Sequence, residues 1–185
     1  MKILNLIWII TLIIDNMLPL ALARFYPNYS HKDMALSVIG SRQSPVKWVY
    51  NAWCIVSGVV FCIAPYAFYQ VNSGGLAVAI WILLAMYGIG CEIVSGFCPL
   101  NENRQEEDTI AKIHGVASAI GFMTLLVVPL LMAILQFQVS EVAFGLISLL
   151  CFIVAFVFFC FFGKSFCVRF GRFYEKIESA FRLNG

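Results

Sequence analysis

Asp15, Asn16, Arg24, Asn51, Glu92 and His114 are the residues of this sequence best placed to do chemistry, because each stands within or beside a long apolar run. An ionised carboxylate deep in hydrocarbon is costly. Such a group faces a bundle interior, meets a partner or takes up a proton. Glu92 or His114 would be the titrating group of a proton-coupled mechanism. Hydrolysis would need a nucleophile or metal beside them. Ser95 is one helical turn from Glu92, yet serine is common inside membrane bundles. Cys91, Cys98 and His114 form a conceivable zinc set, but they lack the tight pair spacing of real ligands. No metalloprotease motif or phosphate loop occurs. The expectation is no metal and no cofactor.

For Asp15 and Asn16 three readings apply: a functional polar cavity, a structural polar contact, or a local distortion of the bilayer. Arg24, Asn51, Glu92 and His114 belong to or flank four different runs and would reach one depth. There Arg24 would pair with Glu92, while Asn51 and His114 donate hydrogen bonds. Such a cluster is the candidate polar pocket. A network that only locks helices together leaves the same signature.

These residues are positioned by apolar segments. Hydrophobic residues make up 62% of the 185 and charged residues 12%, about half the charge of an ordinary globular domain. That balance excludes a water-soluble domain and bulk disorder. A crossing helix needs about 20 apolar residues. Five runs qualify: Ile3 to Ala23, Trp48 to Tyr69, Gly74 to Cys98, Ile113 to Leu135, and Val142 to Phe162. None alternates as barrel strands do. In hydrocarbon every backbone polar group must be satisfied internally, so long apolar runs read as helices. The expected architecture is an all-α polytopic transmembrane helical bundle over residues 1–163, with a cytoplasmic tail at 164–185. Pro19, Pro65 and Pro129 fall in or near the spans, and a bend is expected at Pro129. The connections Gln70–Ser73 and Gln136–Glu141 are short, which makes their flanking helices antiparallel neighbours.

Five spans place the two ends of the sequence on opposite sides. Of 12 Lys and Arg residues, only Lys2 falls on one side; the other eleven fall on the second. The positive-inside rule then puts the N-terminus outside and the C-terminus in the cytoplasm. Lys2, the apolar core and Ala21-Leu22-Ala23 loosely resemble a cleavable signal, but cleavage would leave the basic 24–47 loop outside. A retained first helix is therefore expected. In the loops, Asp33 to Ser37 reads as a short interfacial helix, and Gly40 and Pro45 as turn formers. Glu102, Glu106, Glu107 and Asp108 precede the fourth run; they would complement a helix N-terminus or simply be solvated. In the tail, Phe166, Phe170, Phe173, Ile177 and Phe181 recur near helical spacing among Arg169, Arg172, Lys176 and Arg182. That pattern fits an amphipathic helix on the cytoplasmic leaflet. The seven cysteines form no CxxC pair, and most behave as small apolar residues. Cys167, beside the membrane, is a free thiol or a palmitoylation site.

Small residues mark the expected seams: Gly88, Gly90 and Gly96 in the third run, and the steps Gly115–Ala119 and Ala117–Gly121 in the fourth. Phe156 to Phe162 is bulky and should face lipid.

Several pieces together resemble the integral-membrane family called domain of unknown function 998. They are Tyr29-Ser30, Leu36-Ser37-Val38-Ile39-Gly40, Asn51 early in a span, Gly58, the Gly88–Pro99 stretch and His114-Gly115 opening a helix. The resemblance covers roughly residues 4–163. It implies a compact helical bundle with no established catalytic assignment, usually of six helices and with the N-terminus inside. This sequence offers five spans and an opposite charge bias. Phe97-Cys98-Pro99-Leu100-Asn101 also stands where that family's pattern resembles Phe-Pro-x-Asp.

Three functions follow. One is a non-enzymatic membrane protein that binds a lipid or small amphiphile, or assists transport or sensing, through the polar pocket near the cytoplasmic side. Another is a small intramembrane lipid-modifying enzyme using Glu92 or His114 as acid and base. The third is a structural membrane partner without a ligand site. Membrane lipids and a possible amphiphilic ligand are the expected partners, and no nucleic acid is expected.

Overall fold

The computed structural model describes residues 2–27, 29–72, 74–101 and 109–161. Five of its helices are long and apolar enough to cross a membrane: α1 (Lys2–Ala23), α2 (Lys47–Val71), α3 (Gly75–Phe97), α4 (Thr109–Gln138) and α5 (Val142–Phe161). The protein is an all-α, multi-pass membrane protein, as its apolar runs require. The amphipathic tail at 164–185, Cys167 and the acidic residues at 102–108 lie outside the described residues.

Two helices depart from regular α geometry. In α2 the stretches Lys47–Ile63 and Pro65–Val71 meet at Ala64. Pro65 lacks an N–H and crowds the preceding turn, which ends the first ladder there. In α3 the stretch Gly75–Tyr87 passes into a π-helical segment, Gly88–Val94, before closing as Ser95–Phe97. The Ser95 hydroxyl donates to the Gly90 carbonyl five residues back, at 3.4 Å. The bend expected at Pro129 brings no interruption: α4 is helical from Thr109 through Gln138 with Pro129 inside. Membrane helices absorb the missing N–H of an internal proline better than soluble ones do. Gly74 turns the chain between α2 and α3 at φ 140°, a conformation that suits glycine.

The third helix lies between α2 and α4, and α1 packs on α2. Glycine allows the close approaches. A Cβ on Gly58 would lie 2.5 Å from the Gly88 carbonyl oxygen, and one on Gly88 would lie 2.7 Å from the Gly58 oxygen. Gly90 abuts the Ala117 carbonyl, and a Cβ on Gly121 would lie 2.7 Å from Cys91 Sγ. Only the Ala117–Gly121 step therefore faces α3. Gly115 borders open space, because residues two apart on a helix do not share a face.

The two ends of the bundle differ. Toward Lys2 and the α2–α3 turn, Phe61, Ile80, Leu84 and Val128 form the buried apolar cluster, with Trp8 and Tyr87 against it. Tyr66, Tyr69 and Trp81 group their rings beside it. At the opposite end the basic loop folds back on the helices. A 3₁₀ turn forms at Leu36–Gly40 rather than at Asp33 to Ser37. The reason is local: Ser30 donates to the Asp33 carboxylate at 2.8 Å and holds that stretch in a turn, while Ile39 and Ser41 are fully buried. The fifth helix, α5, touches α4 through Ser148, which donates to Gln136 Oε1 at 2.8 Å. Its Phe156, Phe158 and Phe161 are exposed, as a lipid-facing helix requires.

Candidate functional site

The polar residues resolve into a network inside the bundle and a cavity at its basic end. Asp15 faces inward and has partners. Trp53 Nε1 donates to one carboxylate oxygen at 2.6 Å and the Ser57 hydroxyl to the other at 2.9 Å. Trp53 and Ser57 are one turn apart on α2, so both reach the same carboxylate. Asn16 turns outward, about 100° further round the helix. Its amide donates to the Leu12 carbonyl at 2.7 Å within α1.

Glu92 sits in the π-helical segment. Its Oε1 accepts from the Tyr87 hydroxyl at 3.0 Å. The Cys54 thiol also neighbours Glu92, and Tyr50 neighbours Cys54. Tyr50, Cys54 and Ser57 follow the i, i+4, i+7 spacing of one helix face. The second helix thus carries a polar stripe, which Asp15 of α1 meets at Ser57 and Glu92 of α3 at Cys54.

The expected four-residue pocket is arranged differently. Arg24 is exposed and forms no side-chain hydrogen bond or ion pair among the described residues. Glu92 takes Tyr87 and Cys54 in its place. Asn51 donates to the Gly40 carbonyl at 3.0 Å, which pins the basic loop to α2. His114 is 6% exposed, and its Nδ1 lies 2.8 Å from the Cys98 carbonyl oxygen. A carbonyl only accepts, so the proton is on Nδ1. No hydrogen bond or ion pair among the described residues joins any two of Arg24, Asn51, Glu92 and His114. Ser95, the neighbour of Glu92 in sequence, lies 3.1 Å from Ser118 Oγ, and Cys91 donates to the Ser118 carbonyl at 3.3 Å. Both links tie α3 to α4.

A cavity of about 470 Å³ opens where α2 begins and α3 ends. Trp48, Ile55 and Phe97 provide apolar walls, Asn51 a polar edge, and Arg42 and Lys47 the charge. Gly96 brings the end of α3 onto α2, where a Cβ would lie 2.8 Å from both the Asn51 carbonyl oxygen and Ile55 Cγ1. Lys47 Nζ donates to the Arg42 carbonyl at 2.6 Å and lies 5.8 Å from the Trp48 ring centre. The Arg42 N–H donates to the Leu100 carbonyl at 2.9 Å, joining the two loops at the mouth. Of the residues named from sequence, Asn51 lines this cavity. Arg42 and Lys47 appear in the sequence as loop charges. Their signal is position: Lys47 directly precedes the aromatic start of an apolar run, and a helix beginning there lifts it to the cavity rim.

The family model described as "Protein of unknown function (DUF998)" matches residues 9–170. No curated protein and no solved structure matches the chain.

Proposed function

The chain belongs to the DUF998 family, and from that membership and the geometry above we propose that it binds a lipid or small amphiphile without transforming it. The observation that carries this reading is the cavity between the start of α2 and the end of α3. Its apolar walls are Trp48, Ile55 and Phe97, and among the described residues Arg42 and Lys47 are its charged lining. Trp48 and Phe97 are 78% and 67% exposed, so the space is open to an apolar ligand from the side. In our reading the basic loops face the cytoplasm, and the N-terminus lies outside. Asn51 then belongs to the binding site, while Asp15, Glu92 and His114 hold its walls in place from within the bundle. The acid–base reading is less well served, because Glu92 does not line the cavity and His114 Nδ1 is engaged by Cys98.

Filling the space tests the proposal. Ile55→Trp should leave the protein folded by circular dichroism and lower native-lipid retention several-fold, read by native mass spectrometry. Unchanged retention in a folded variant would overturn it. Reporter fusions at the two ends test the orientation: both in one compartment, or the C-terminal one outside, would refute it.

A further inference from the structure

The third helix carries one wall of the cavity at its end and a departure from α geometry just before it. We infer that the π-helical segment Gly88–Val94 is a register switch for the cavity, held in its binding register by the hydrogen bond from the Tyr87 hydroxyl to Glu92. This inference rests on the proposed binding function and adds how the site is regulated.

Spacing carries it. Tyr87 and Glu92 are five residues apart, yet their side chains meet at 3.0 Å. On an α-helix the side chains that meet are three or four apart, and residues five apart stand about 140° away from each other. A turn closed over five residues, as in a π-helix, brings them to one side. The bond therefore belongs to the π register and is lost when the segment tightens to α. The Ser95 hydroxyl repeats the same spacing, donating to the Gly90 carbonyl at 3.4 Å, and its oxygen lies 3.1 Å from Ser118 Oγ on α4.

A π turn holds one residue more than an α turn, so tightening it rotates everything beyond by about 100°. What lies beyond is the cavity wall of Gly96, Phe97 and Pro99. Gly96 fits against α2 because it has no Cβ; one there would lie 2.8 Å from the Asn51 carbonyl oxygen and from Ile55 Cγ1. Both of its neighbours, Ser95 and Phe97, carry a Cβ. Either one turned toward α2 forces the helices apart where Asn51 and Ile55 line the cavity. Glu92 does not line that space, so it and Tyr87 are positioning residues that act through the register. The coupling is mutual: a ligand that fills the cavity holds the register, and the held register favours the ligand.

The test reads ligand and register separately in the full-length protein. Tyr87→Phe keeps the ring that packs edge-on against Phe61 and removes the hydroxyl. Native-lipid retention, counted by native mass spectrometry, should fall about two- to fivefold, the range one hydrogen bond supplies. Glu92→Gln keeps an acceptor for the Tyr87 hydroxyl and should retain lipid as the wild type does. Val128→Ala loosens the apolar cluster at the other end of the bundle; it lowers stability without touching the register and should leave retention unchanged. The register is read by oxidative crosslinking of Ser95→Cys to Ser118→Cys, with Cys91→Ala in the background. The pair should link in the native register and link several-fold more slowly once Tyr87→Phe is added. Circular dichroism and the melting temperature establish that each variant is folded. Normal retention in a folded Tyr87→Phe protein overturns the inference, whether or not crosslinking slows. So does a Val128→Ala variant that loses lipid as readily. If Ile55→Trp lowers retention and Tyr87→Phe does not, the switch fails while the binding function stands. If neither lowers it, both fail.

Discussion

The third and fifth helices are both apolar enough to span a membrane, yet the molecule uses them in opposite ways. Along the apolar stretch of α3, 28% of residues are buried, against 6% along the still more apolar α5. The difference lies in side-chain size and polarity. Lipid tails are as apolar as leucine, so no hydrophobic force drives one helix against another inside a bilayer. Close van der Waals packing and interhelical hydrogen bonds do that work. The third helix has both, in Gly88, Gly90, Gly96, Glu92 and Ser95. The fifth meets α4 with Gly145 and Ser148 and presents phenylalanines elsewhere. Hydropathy therefore locates a span, while small and polar residues decide whether it packs.

The strongest way to break this contrast is to put bulk where α3 depends on its absence. In Gly88→Leu the new side chain meets Gly58 backbone and Phe61 Cβ, each 2.7 Å from its Cβ. Backbone cannot move aside as a flexible side chain can. We expect a loss of about 3 kcal/mol or more, read as a large fall in thermal stability in detergent or as failure to accumulate. Gly115→Leu, into open space, should stay within about 0.5 kcal/mol. Equal effects would show that glycine packing does not distinguish these sites.

Polar contacts should matter less than the glycine seam. Asp15→Ala leaves the Trp53 and Ser57 donors unpaired, and we expect a loss of about 1–2 kcal/mol. Asp15→Asn keeps an acceptor and should recover much of it. If Asn and Ala behave alike, the hydrogen bonds are not what holds α1 to α2. His114→Ala removes one bond, to the Cys98 carbonyl, and should cost about 1 kcal/mol. The same melting series checks both.

The fold was largely legible because length and polarity are local properties. All five spans can be read from apolar runs, and Asp15 announces an inward partner by its cost alone. The π-helical segment was not legible, since Gly88–Val94 differs from an ordinary helix only in how its carbonyls find donors. Nor was the identity of the partners. Arg24 and Glu92 look matched by charge, yet Tyr87 and Cys54 stand closer to Glu92 in three dimensions. The spacing of Tyr50, Cys54 and Ser57 held the missing clue. It is a polar stripe on an otherwise apolar helix, and such a stripe marks the side that faces the bundle. The cavity was legible only in its parts, because it depends on how closely Gly96 lets α3 approach α2.

The smallest effect is expected in α5. Phe161 is 76% exposed, so in Phe161→Ala the ring gives up contacts with lipid or detergent rather than with the described bundle. The unfolded reference state in a micelle offers the same apolar surroundings. The ring's removal should therefore change stability by no more than about 0.5 kcal/mol. The variant is best measured beside Gly88→Leu, by the same melting protocol and at two protein concentrations. A loss above about 1 kcal/mol that grows on dilution would mean that the phenylalanine face is covered by another copy. The fifth helix would then pack through bulk, and the rule drawn from α3 would fail for it.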